Sequence, residues 1–138
     1  MKPKLFLDTN VVIDFFMERE PFTEDAVRLF ELKESGKVDL CLSALTVANL
    51  AYHVNKRGKN PFILLKDFLD WIEVIDLDKN IFCKTIDSDF DDFEDGLQYF
   101  SAVKSFGVDV IITRNIKDFK PSLIPVYTPS DYLKEWEQ

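Results

Sequence analysis

Three aspartates, Asp8, Asp95 and Asp118, stand where carboxylates from distant parts of a chain can meet. Asp8 closes the apolar run Leu5-Phe6-Leu7 and opens Asp8-Thr9-Asn10, which reads as the tip of a buried first strand. Asp95 falls in the first turn of a helix behind an acidic loop, and Asp118 in a turn just past a strand ending at Ile112. In an open parallel sheet the carboxyl ends of the strands share a crevice. With the first strand central, the first and fourth strands are neighbours and their loops converge. Carboxylates gathered there suit one or two hard cations, Mg²⁺ or Mn²⁺, which take oxygen ligands and retain some water. Such a cation would supply what phosphodiester hydrolysis needs, an activated water and a clamp on the charged phosphate.

Each acid also has a plainer reading. Asp8 could bond the amides that follow it in an Asx-turn. With Asp92 as helix cap, Asp95 is the third helical residue and favours the positive end of the dipole. Asp118 before Phe119 could be an ordinary surface turn. Residues 87–95 hold six acids and no base, a composition typical of a solvated loop, so Asp87, Asp89 and Asp91 are set outside the site.

The elements that must position these groups follow from apolar spacing. Residues 5–7 are a strand, then a loop and a short helix carry Val11-Val12-Ile13-Asp14-Phe15-Phe16 to a turn at Glu20-Pro21. Thr23 can cap a second helix with Ala26, Val27, Phe30 and Leu32 on its apolar face, stopped at Ser35-Gly36. Residues 38–42 are a short buried strand. Ser43 caps a helix whose Val47, Leu50, Ala51 and Val54 form one stripe, ended by Gly58. Pro61 starts another, with Phe62, Leu65, Phe68, Leu69 and Ile72 in the same period. A short strand at 74–75, a helical turn from Asp78, the helix after Asp95 as far as Gly107, and a strand at 108–112 come next. A strand at 126–127 and a helix capped by Thr128 with Pro129 at its first position close the chain. This alternation predicts a three-layer α/β/α sandwich with a central parallel sheet of four or five strands and right-handed crossovers.

Bulk properties narrow the function. The chain has 138 residues, 46% hydrophobic and 30% charged, and is expected to form a single domain over residues 1–138. No apolar run reaches the ~18 residues of a membrane span, and the start is too short in apolar residues for a signal peptide, so a cytoplasmic, non-membrane protein is expected. Cys41, Cys83 and the single His53 make no thiolate or imidazole zinc pattern, and both cysteines read as buried apolar residues. The four glycines form no G-x-G-x-x-G or G-K-[ST] loop, which removes nucleotide cofactors of those types. A net charge of −8 opposes broad attraction to phosphates and suits a basic protein partner.

Four segments carry a resemblance. Leu7-Asp8-Thr9-Asn10-Val11, Ser43-Ala44-Leu45-Thr46, Glu94-Asp95-Gly96-Leu97-Gln98 and Thr113-Arg114-Asn115-Ile116-Lys117-Asp118-Phe119 resemble, in order and spacing, the successive motifs of the PIN domain family. The resemblance implies a metal-dependent ribonuclease, most similar at this length to the toxin of a VapC-type toxin–antitoxin pair. It further implies Mg²⁺ or Mn²⁺ as cofactor, an RNA substrate, a homodimer and a small antitoxin partner. Carried over by motif, Asp8, Asp95 and Asp118 are the catalytic residues and metal ligands. Thr9, Asn10 and Thr113 support them by orienting carboxylates or water.

Two departures reduce the charge of that site. Asn49 stands where the family's second motif usually has glutamate, and Asn115 where the fourth usually has its first aspartate. Asparagine coordinates through its carbonyl but brings no charge. Glu94 is the nearest acid that could substitute, although adjacent helical residues point ~100° apart. Asn49 could instead pair with His53 one turn on. For RNA phosphates, Arg114 and Lys117, with Lys120, or the group Lys56, Arg57 and Lys59 are candidates. The departures leave a second reading, a catalytically degenerate PIN domain that binds RNA or protein without cutting. A phosphatase of the haloacid dehalogenase type needs a second aspartate at position 10, which is asparagine, and a receiver domain fits only loosely.

Overall fold

The structure is a computed structural model describing residues 2–137. Its sheet has five strands, β1 (Lys4–Leu7), β2 (Asp39–Ser43), β3 (Glu73–Ile75), β4 (Val110–Ile112) and β5 (Val126–Tyr127). They run in the order β3-β2-β1-β4-β5, and every neighbouring pair is parallel. The first strand is therefore central, flanked by β2 and β4, the condition under which the loops after the first and fourth strands converge.

Strand side chains alternate between faces, and the core divides accordingly. Leu5, Leu7, Leu40, Leu42 and Ile112 pack into one cluster with helices α1 (Thr9–Phe16), α2 (Thr23–Glu34), α3 (Ala44–Lys56), α4 (Pro61–Trp71) and α7 (Pro129–Trp136). Phe6, Cys41, Ile75 and Ile111 face the other way, against Tyr99 and Ala102 of α6 (Phe93–Lys104) and against Phe119 of a 3-10 turn, Ile116–Phe119. Helix α5 (Lys79–Ile86) packs against α6. Both faces of the sheet are thus covered, the arrangement that parallel sheets require.

Helix starts are written locally. Asp8, Ser43, Asn60, Asp78, Asp92 and Thr128 each accept a backbone N–H at the head of the helix that follows. Helix α2 departs from expectation: Phe22 occupies the cap without a side-chain bond, and Thr23 is already helical. Its innermost residue is Leu29, while Val27 points outward. On α4 the expected stripe is only half used, because Phe68 and Ile72 are buried whereas Phe62 and Leu69 are exposed. The fourth strand begins at Val110 rather than 108. Cys41 is buried as expected, but Cys83 is exposed, since it lies on the outer side of α5.

Gly96 matters for position. A Cβ built there would lie 2.5 Å from Cγ2 of Thr85 on α5, and Thr85 is itself buried, its hydroxyl donating to the Ile81 carbonyl at 2.9 Å. The missing side chain lets α6 approach α5 closely and sets the height of Asp95, the next residue back. Gly96→Ala is expected to cost about 1–3 kcal/mol in urea unfolding by overpacking. In a Thr85→Ser background, which keeps the hydroxyl and removes Cγ2, the same change should be neutral or stabilising, because alanine is the better helix former.

Candidate functional site

Strand register builds the floor of the site. Phe6 pairs with Cys41 and Leu7 with Ile112, so Asp8, Ser43 and Thr113 come abreast at the carboxyl ends of the three central strands. The Asp8 N–H still donates to the Ile112 carbonyl at 2.9 Å, which fixes the carboxylate next to the Thr113 hydroxyl. That hydroxyl donates to Asp8 Oδ2 at 2.8 Å and accepts the Asn115 N–H at 3.1 Å. Asp8 Oδ1 accepts from the Thr9 N–H at 2.9 Å and from Gln98 Nε2 at 3.2 Å. The Asx-type bond is therefore real, but it is one of three. A carboxylate oxygen has two acceptor directions, so Oδ1 is filled and Oδ2 keeps one open.

Gln98 ties the floor together. Only 2% exposed, it presents Nε2 to Thr9 Oγ1 at 2.9 Å and Thr46 Oγ1 at 3.0 Å as well as to Asp8, so two N–H groups are shared among three acceptors. Its Oε1 accepts from the Ser43 hydroxyl, and Thr9 and Thr46 hydroxyls meet at 2.7 Å. One amide thereby connects the ends of β1 and β2 to α6. The roles of Gln98, Ser43 and Thr46 are not evident from spacing. A glutamine inside Leu97-Gln98-Tyr99-Phe100, at a buried helical position, was the available signal.

Above this floor opens a cleft of about 360 Å³. Asp8, Thr9, Asn10, Asn49, Glu94, Asp95 and Asn115 all line it, joined by Tyr52, His53 and Gln98. Asp95 has both of its predicted features: its N–H donates to the capping Asp92 at 3.0 Å, and its side chain faces the cleft. Burial, followed by the charges of Asp92, Asp8, Asp118 and Glu94, pushes its carboxyl up to about 7. Asp118 lies close enough to contribute to that repulsion, yet it is exposed and opens on a neighbouring recess with Arg114, Lys117 and Thr128. Asn115 lines both.

A carboxyl that burial and neighbouring negative charge keep protonated near neutrality is relieved by a cation, so the donor set fits a hard divalent ion. Among the described residues no three His, Cys, Asp or Glu side chains form a complete cage. Asp8 through its open Oδ2, Asp95 and Glu94 bring carboxylate oxygens to the cleft, with the Asn10, Asn49 and Asn115 carbonyls as neutral ones.

Arg114 has a structural assignment that its sequence position did not reveal. Asp14, 1% exposed on α1, lies 2.8 Å from Arg19 Nε and 2.9 Å from Arg114 Nε. The Arg114 N–H is misaligned for a hydrogen bond, so the contact is an ion pair alone. The Arg114 guanidinium also stacks on Phe22 at 3.9 Å. Arg19 Nη2 reaches Asn10 Oδ1 at 3.4 Å. Asp14 therefore anchors, through two arginines, the two chain segments that carry Asn10 and Asn115. An acid inside the apolar run of residues 11–16 was its sequence signal.

A central parallel sheet with carboxylates, amides and hydroxyls gathered over β1, β2 and β4 defines an acidic-cleft α/β domain of the type that holds a divalent cation. The chain belongs to the PIN domain family, whose model matches residues 4–117. It is 30% identical to Ribonuclease VapC1 of Aquifex aeolicus over 96% of this chain and 95% of that one. The fold is also similar to a toxin–antitoxin complex from Klebsiella pneumoniae, with a TM-score of 0.68, 20% identity, and 91% and 97% of the two chains covered. VapBC2 from Rickettsia felis, bound to a DNA fragment of its promoter, gives 0.63, 20%, and 91% and 98%.

Two outcomes test this geometry. Arg114→Ala leaves Asp14 with Arg19 alone and should lower urea stability by about 2–3 kcal/mol, short of the full loss of a buried pair. Asp14→Asn combined with it should cost less than the sum of the two. For Asp95, the folded group holds a proton between pH 4 and 7 that the unfolded chain has lost, so its ionisation increasingly destabilises the fold as pH rises through that window. In EDTA at pH 8, Asp95→Asn should melt a few degrees above the parent, by about the shift that 1 kcal/mol gives at this size. The gap should shrink by pH 5, and Mn²⁺ should raise the melting temperature of the parent only.

Proposed function

We propose that the chain is a metal-dependent endoribonuclease that hydrolyses RNA phosphodiester bonds and acts as the toxin of a VapC-type toxin–antitoxin pair. The observation that carries this reading is the cleft in which Asp8 and Asp95 face each other's field above a hydroxyl and amide floor. The PIN family match and the VapC1 relative supply the activity class. A small antitoxin as partner is favoured by the similarity to toxin–antitoxin complexes and by the −8 charge, which suits a basic segment. A homodimer is part of the same proposal.

Bound Mg²⁺ or Mn²⁺ would supply the activated water and the charge that steadies the pentavalent phosphate. The chain's own residues do the rest. Thr113, Gln98 and the Thr9 amide hold the Asp8 carboxylate in one orientation, so little reorganisation is needed when a cation and substrate arrive. Asp95 gives up its proton near neutrality, which makes cation binding strengthen from pH 6 to 8. Asp118, on the adjoining recess beside Asn115, is the third acid of the proposal and would add its carboxylate to those of Asp8 and Asp95 around the cation. Asn10, held by Arg19, and Asn49 offer uncharged oxygens. Lys117, exposed on the loop of Asp118, is placed for an RNA phosphate, whereas Arg114 is committed to Asp14 and Phe22.

Purified protein is expected to cleave RNA with Mn²⁺ or Mg²⁺, to stop in EDTA, and to lose activity by roughly a hundredfold or more on Asp8→Asn. Equal cleavage by that variant would exclude the assignment. The lack of a complete three-residue cage among the described residues, together with Asn49 and Asn115, favours one competing reading, a PIN domain that binds RNA or protein without cutting. Calorimetry with Mn²⁺ separates them, because binding that depends on Asp8 and Asp95 is needed only for the nuclease.

A further inference from the structure

Tyr52 lines the same cleft as Asp8 and Asp95, yet its ring is 63% exposed. The core does not hold it there, since the buried face of α3 is formed by Thr46, Leu50 and Val54. His53 packs edge-on against the ring, centroids 5.7 Å apart at 84°, which restrains its rotation. One turn further, Lys56 Nζ is 6.0 Å from the ring centroid, at the outer limit of a cation–π contact, so the lysine is near without covering the ring. Arg57 and Lys59 follow, and all three cations are exposed. In a chain of net charge −8, an open aromatic face at the cleft thus leads into a local run of positive charge.

Those two features together match single-stranded nucleic acid. Any unpaired base offers a π-face to an aromatic side chain, while cations follow the phosphates. A duplex keeps its bases stacked within the helix and offers no such face. We propose that Tyr52 is a stacking platform for an unpaired nucleobase beside the scissile phosphate, with Lys56, Arg57 and Lys59 along the backbone that leaves the cleft. The rise from Tyr52 to Lys56 is about 6 Å along the helix, so ring and first cation serve neighbouring parts of one strand. This inference rests on the nuclease reading and adds to it the residue that holds the base beside the cut.

The test is cleavage of short randomised unstructured oligoribonucleotides, and of a duplex RNA, by the full chain with Mn²⁺. Tyr52→Ala should lower kcat/KM on the single strands about tenfold or more, chiefly through KM. Tyr52→Trp should retain most of the activity, and both variants should bind Mn²⁺ as the parent does in calorimetry. Parental kcat/KM in Tyr52→Ala overturns the platform, as does a tryptophan variant as impaired as the alanine one. Duplex cleaved as readily as single strand overturns it too. A lower sedimenting mass for Tyr52→Ala would place the ring between copies of the chain and equally overturn it. Failure of the parent to cleave either RNA overturns the nuclease reading itself, an outcome distinct from a parent that cleaves and an alanine variant that matches it.

Discussion

A carboxylate 6% exposed at the end of a central strand has to be satisfied by its neighbours, because an unpaired buried charge is among the most costly features a fold can contain. Asp8 meets this constraint through the parallel register. The neighbouring strand brings Thr113 alongside, the following residue contributes its amide, and Gln98 descends from α6. Gln98 in turn must be satisfied, which draws in Thr9, Thr46 and Ser43. The polar floor is therefore a closed set of mutual obligations in which each group holds its neighbour in place. Rigidity of the cleft floor follows from the cost of leaving any member unpaired.

Electrostatics divides the molecule differently. Burial, reinforced by neighbouring negative charge, makes Asp95 hold its proton to about pH 7, while a second buried acid, Asp14, is surrounded by two guanidiniums. The first arrangement leaves room for an external cation, and the second carries its own. Their proximity through Asn10 and Arg114 means that the neutralised acid steadies the walls of the one that is not. Asparagine at positions 49 and 115 keeps oxygen donors in the cleft without adding to a repulsion that is already large.

Much of this was legible in the chain. Helix caps at Ser43, Asp92 and Thr128 follow from local spacing, because each is governed by neighbours within a few residues, and the alternation of strands and helices points to a parallel sheet, whose strand order is fixed only by long-range pairing. The gathering of Asp8, Asp95, Asn49 and Glu94 was legible through motif order. Features that depend on tertiary satisfaction were not. Gln98 and Asp14 look like interruptions of apolar runs until partners far along the chain are known, and Arg114 looks like a free cation until Asp14 is seen beneath it. The exposure of Phe62, Leu69 and Cys83 likewise depends on which side of a helix the sheet leaves uncovered. Asp118 was placed in the cleft by motif order, whereas the 3-10 turn carries it to an adjoining recess, a displacement of face that a turn of four residues is enough to produce.

The strand order has a consequence for synthesis. The Asp8 carboxylate takes its Thr113 partner across 105 residues of chain, since the central strand is made first and its neighbour β4 nearly last. Non-local pairing of this kind forms slowly and only when both partners are present. As the chain leaves the ribosome from its amino end, Asp8 waits without its hydroxyl partner, and without Asp95 or Gln98, until about a hundred further residues have followed. An incomplete chain, whether stalled or truncated, contains the first carboxylate but no cleft. The cleft thus forms only once β4 has joined β1, and its timing during synthesis is set by the topology of the sheet.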